Sequence, residues 1–276
     1  MAKLRIFLSS FAMYALTAIV ALTAAWQHVI HPAAAGGVAP LEFTLQNTLI
    51  FVAVFVVFTV VMVRFLRVAR LSLGFFLVVA LLGGSQFVLS AWLGTWASVV
   101  GAVLLAVLAW RVPRVFMHDI AVIVGIAGIA ALLGLSVTPL VAAVLLAGLS
   151  IYDIISVYRT RHMVALAEHM LASGAVFGFL VPSTLKGFLM PRREALDTRS
   201  VMMLGSGDIG LPLVLAASAV SQSIAAAALT AVFALIGVSL MHWLFAHQER
   251  PAPMAALPPI AVSAILGYFI AVILGI

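Results

Sequence analysis

Asp153 and Asp208 each interrupt a run of apolar residues long enough to lie in a lipid bilayer. A carboxylate near the middle of a membrane costs about 3 kcal/mol or more, so an ionisable residue there is by default a functional one with a partner to be found. Each of these aspartates is the obvious partner of the other. Two carboxyl groups held together cannot both ionise easily, so one keeps its proton while the other is left as a base. That is the apparatus of aspartyl proteolysis. The ionised member takes a proton from water, the water attacks a peptide carbonyl, and the protonated member donates to the carbonyl oxygen.

The neighbours of each aspartate favour a site over a structural ion pair. Neither has a Lys or Arg within one helical turn. Gly205-Ser206-Gly207-Asp208 removes side chains just before the second aspartate, which permits close approach of another backbone, and Pro212 weakens the helix one turn later. Other hydrolytic chemistries lack their residues. The seven histidines show no HExxH spacing for a metalloprotease, no GxSG string supports a serine protease, and there is no cysteine to act as a thiolate. No metal or cofactor is expected.

The elements that must position the pair are membrane spans. A composition of 66% hydrophobic and 8% charged residues describes an integral membrane protein, and apolar runs of about 20 residues, the length a span needs, recur along nearly the whole chain. The pattern predicts nine transmembrane helices in an all-α polytopic fold, near 4–26, 43–63, 71–89, 92–110, 118–135, 139–158, 200–220, 223–245 and 256–275. This makes residues 1–276 a single domain, with six spans before a connection at 159–199 and three after it. Turns are expected at Gly83-Gly84-Ser85-Gln86 through Ser90, at Ser136-Val137-Thr138-Pro139 and at Ser221-Gln222-Ser223. With nine spans all fourteen Lys and Arg residues fall on one face, which by the positive-inside rule sets the N-terminus in the cytoplasm and the C-terminus outside. The net charge of +6 is then a matter of orientation and anionic lipid, and nucleic acid is not implied. Lys3 and Arg5 ahead of an apolar run resemble a signal peptide, but the run is too long for one and is read as a retained first helix.

The connection at 159–199 holds six of the fourteen basic residues. Its segment 162–171 has the spacing of a short amphipathic interfacial helix. Residues 174–188 are apolar but broken by Pro182 and glycines, so they are not expected to span. A connection this long is either disordered or a cover over an active site. His118 and Asp119 are expected to open the fifth span, the acid serving the first turn of a helix.

Tyr152-Asp153 in span six, Gly205-Ser206-Gly207-Asp208 in span seven and Ala256-Leu257-Pro258 at the start of span nine resemble the YD, GxGD and PAL signatures of the presenilin and signal peptide peptidase family of intramembrane aspartyl proteases. Order and spacing fit over the whole plan. One position departs: Ala255 stands where the PAL proline would be, although Pro258 and Pro259 follow. The cytoplasmic N-terminus resembles the presenilin branch, and the compact loops resemble a microbial homologue. The resemblance implies Asp153 and Asp208 as catalytic residues, with Tyr152, Gly205, Ser206, Gly207, Ala256, Leu257 and Pro258 at the substrate. It also implies single-span membrane protein substrates in the cell membrane of a prokaryote. A homo-oligomer is compatible with it, and no obligatory accessory subunit is expected. A transmembrane substrate must unwind to be cut, and strand addition by residues after span six and before Gly205 would satisfy its freed backbone. Two readings stay open beside this one: an ion- or proton-coupled transporter using the buried aspartates, and the prepilin peptidase group, which also uses a GxGD aspartate.

Overall fold

The computed structural model describes residues 2–31, 50, 66–159, 176, 178–198, 201–248 and 254–276. Its helices are α1 (Ala2–Ile30), α2 (Leu66–Ser90), α3 (Thr95–Arg111), α4 (Val115–Ser136), α5 (Pro139–Ile154), α6 (Arg192–Asp197), α7 (Ser206–Ala219), α8 (Ile224–Ala246) and α9 (Leu257–Leu274). Two short strands, β1 (Gly178–Pro182) and β2 (Val201–Gly205), pair antiparallel. Five helices are long and apolar enough to cross a membrane, namely α1, α4, α5 with its extension, α8 and α9. Apart from Ile50, the expected second span at 43–63 lies outside the described residues, as does the interfacial helix at 162–171.

In lipid a chain must satisfy its own backbone, and helices do so internally. Their ends follow local chemistry. Pro139 opens α5 behind Thr138. Ser223 caps α8 by accepting from the Ala225 and Ala226 amides at 3.0 and 3.5 Å. Gly275, at φ 70°, closes α9 in the left-handed conformation that glycine adopts without strain.

Small residues set the packing, because helices in lipid associate through close backbone approach. The core helix is α4, which packs against α1, α2 and α7. A Cβ placed on Gly84 would collide with the Gly125 carbonyl oxygen, and one on Gly128 with that of Gly84, so α2 and α4 touch backbone to backbone. A Cβ on Gly134 would stand 2.5 Å from the Ala217 Cβ and 2.8 Å from the Val214 carbonyl oxygen, so its absence seats α4 on α7. Gly237 does this for α8 against α9, where a Cβ would stand 2.6 Å from the Ile260 Cα.

Three expectations need correction. The seventh span does not begin as a helix: Val201–Gly205 is a strand, because β1 offers it backbone partners, and α7 starts only at Ser206. Asp208 is therefore reached along extended chain, which rises roughly 3.3 Å per residue, more than twice the helical value. The Gly83-Gly84 pair is not a turn. It lies inside α2, where Gly84 serves close packing, and the chain reverses at Ala91–Gly94. Finally, α4 begins at Val115, so His118 and Asp119 fall past its opening residues and neither serves as its cap. The turns at 136–139 and 221–223 are where the sequence places them, and the stretch expected not to span, 174–188, contains β1 and all but the last residue of a 3₁₀ turn at Leu185–Leu189.

Candidate active site

Helices α5, α7 and α9 pack against one another pairwise, and each carries one of the three motifs. Asp153 lies in the last turn of α5, half-buried, with Tyr152 half-buried beside it. After Ile154 the helix continues as a π-helical turn, Ile155–Arg159, a wide turn that recurs at functional sites. The Ser156 hydroxyl ties back to the Asp153 carbonyl at 3.0 Å.

Asp208 lies half-buried in the first turn of α7. Gly205 is the N-cap, and the Asp208 carboxylate accepts a hydrogen bond from the Gly205 backbone, the reach-back that an acidic residue at the third helical position makes in a capping box. The glycines then have separate reasons. A Cβ on Gly205 would stand 2.8 Å from Asp208 Oδ2, so a side chain there would displace the carboxylate. A Cβ on Gly207 would meet nothing within 4 Å, and Gly207 is exposed, so the face beside Asp208 is open. Ser206 between them is buried.

The third motif arrives at the head of α9. The Leu257 amide donates to Asp153 Oδ2 at 3.3 Å, with Ala256 as the N-cap and Pro258 in the first turn. Leu257 and Ala255 are buried, and Ala256 and Pro258 are half-buried. The Asp153 and Asp208 carboxyl groups lie within electrostatic reach of each other. All nine residues singled out in the sequence thus lie on the three helices or at their ends. Two acids at an open face, with no cation paired to either among the described residues, can hold a water between a base and an acid.

A family model described as signal-peptide peptidase, presenilin aspartyl protease matches residues 11–276. The chain belongs to that family. The presenilin-family match extends to solved structures. One, described as a presenilin family intramembrane aspartate protease in the C222 space group, superposes with a TM-score of 0.67 at 28% identity, covering 97% of this chain and 99% of that one. A second, in the P2 space group, gives 0.63 at 28% identity over 96% of each chain. No curated protein sequence matches the chain significantly. The protein is an intramembrane aspartyl protease and an integral membrane protein. Neither structural match points to a transporter.

Residues that the presenilin signatures do not include also act near the site. His118 Nε2 donates to the Gly178 carbonyl and the Leu180 amide donates to Asp119 Oδ1, both at 2.9 Å, so the pair on α4 holds β1. The available signal was two adjacent polar side chains inside an apolar span, which require a buried partner.

Proposed function

We propose that Asp153 and Asp208 form the catalytic dyad, with water as nucleophile, and that the peptide bond to be cut is presented beside them on the outer edge of β2. The observation that carries this reading is the convergence at Asp153: its carboxylate takes the Leu257 amide from α9 and lies within reach of Asp208 on α7.

The choice of edge follows from main-chain alternation. The Gly178 carbonyl and Leu180 amide point at α4, so the intervening Phe179 and Val181 turn their backbone groups to β2. Their partners are Leu204 and Met202, so Val201, Met203 and Gly205 face away from β1. Among the described residues no strand lies along that edge. It leads into Gly205, whose backbone holds Asp208, so a substrate unwound there keeps its hydrogen bonds and brings its carbonyl to the dyad. Gly205, Ser206 and Gly207 would flank the substrate on one side, with Tyr152 and Ala256–Pro258 on the other.

Nine spans with a cytoplasmic N-terminus agree with the one-sided charge. The five long helices are joined by the shorter α3, by α2 and by α7 extended through β2. Substrates are then single-span proteins cut near their cytoplasmic end, in a prokaryotic cell membrane, without an obligatory accessory subunit. The test is cleavage of a reconstituted single-span substrate. Asp153→Asn and Asp208→Asn are each expected to abolish it while the protein stays folded, and persistent cutting by either removes that residue from the dyad.

A further inference from the structure

We propose that His118 and Asp119 on α4 are positioning residues that fix the register of β1, and through β2 the register at which a substrate strand meets the dyad. This rests on the proposed edge of β2 and goes beyond it.

Both side chains are about 95% buried or more, at 5% and 3% exposure, in a helix that is otherwise almost wholly apolar. Their chemistry matches the strand. A carbonyl only accepts, so His118 Nε2 carries the proton it gives to Gly178, and Asp119 Oδ1 receives the one from Leu180. The two groups lie on the same edge of β1, two residues apart, where main-chain groups of one direction recur. Helix α4 is itself fixed by its backbone contact with α2. The small cluster of Val115, Val176, Leu180 and Ala195 seals the strand against the start of α4.

Slippage is opposed in both directions. A shift of one residue turns the wrong backbone groups toward α4. A shift of two in one direction brings Pro182, which has no N–H, to Asp119. A shift of two in either direction also replaces Gly178 with Leu180 or Val176, where a Cβ would stand 2.6 Å from the Leu204 carbonyl oxygen. The register of β1 on β2 is Gly178 opposite Gly205, the residue whose backbone holds Asp208. An error of register in β1 therefore moves the edge offered to the substrate relative to the acids.

The experiment uses the full chain reconstituted with a single-span substrate, reading kcat, KM and the product termini by mass spectrometry, with Asp208→Asn as the blank. Asp119→Leu and His118→Leu are expected to raise KM about tenfold with little change in kcat, and to spread cleavage over neighbouring bonds. Asp119→Asn and His118→Gln, which keep an acceptor and a donor, are expected to restore the parental products. Hydrogen exchange at 178–182 should quicken in the Leu variants while α4 and α7 stay protected. If a Leu variant does not fold, Asp119→Ser, too short to reach Leu180, carries the same expectation. Unchanged products and KM in the Leu or Ser variants overturn the inference, as does an Asn variant as impaired as Leu. Those failures leave the dyad standing if the blank is inactive, whereas cutting by the blank strikes the dyad reading itself.

Discussion

The two strands share one register but face different surroundings. All five residues of β1 are buried, its outer edge is taken by His118 and Asp119, Leu180 joins a small apolar cluster with Val115 and Ala195, and Phe179 and Val181 join the main core. Four of the five residues of β2 are half-buried, with only Leu204 fully covered, and the strand ends on the glycine that holds a catalytic candidate. One strand is thus part of the scaffold and the other is a presented surface. A two-stranded ribbon is marginal by itself in water, and here α4 supplies what a third strand would.

The sharpest way to break this contrast is at the facing glycines, Gly178 and Gly205. Gly205→Ala places a methyl 2.8 Å from Asp208 Oδ2, and a displacement of about 1 Å in a reacting group costs about a hundredfold. We expect kcat to fall by that order with thermal stability nearly kept. Gly178→Ala drives a methyl into the Leu204 carbonyl instead, and should be seen first as a lowered Tm. Equal loss of kcat in both, at unchanged Tm, would erase the distinction between the strands.

A smaller effect is expected from Met203→Pro, which removes one outward-facing N–H of β2 without touching the pairing to β1. Loss of a single hydrogen bond to substrate should raise KM by about tenfold, measured by steady-state cleavage. An unchanged KM would mean that substrate does not use this edge. Gly128→Ala lies away from both strands, against the Gly84 carbonyl. It should cost roughly 1–3 kcal/mol of stability, read by thermal unfolding in detergent, with product termini as in the parent. The smallest change is expected at Ala255→Pro, which restores the signature proline ahead of Ala256. Its effect should stay within about fivefold in kcat/KM, the scale of a proline placed without strain.

How much of this was legible in the sequence depended on how costly a residue is in lipid. The two aspartates stand out because a carboxylate in an apolar span needs a reason. The third motif was readable by its resemblance to the PAL signature, although Pro258 and Pro259 lie in the first turn of α9, where proline is tolerated, and do not keep the chain non-helical. Turns at Ser136–Pro139 and Ser221–Ser223 were readable because the apolar stretches around them are too long for one span and must fold back at their polar or proline residues. The need to satisfy an unwound substrate already pointed to strand pairing before Gly205, but the sequence pattern put the same residues in span seven, since Val-Met-Met-Leu-Gly is apolar without alternation and a short apolar run does not distinguish helix from strand. The conformation of β2 is decided by β1, which is distant in sequence. Gly83-Gly84 misled in the opposite way: a glycine pair is a turn signal in water, whereas in lipid Gly84 is a packing surface. His118 and Asp119 were assigned to a helix end because their partner was again β1, and α4 starts at Val115, ahead of both.

The central claim, that an unwound substrate adds to β2 beside the dyad, can be tested by cross-linking, because the chain contains no cysteine to interfere. In the Asp208→Asn background, a single cysteine at Met203 would be oxidised against cysteines placed one by one along the cleaved part of a substrate, with Phe179→Cys on β1 as the comparison. The account expects Met203 to capture alternate substrate positions, the period of a strand, and Phe179 to capture none. Capture from Met203 at every third or fourth position, the period of an intact helix, or equal capture from Phe179, would contradict it.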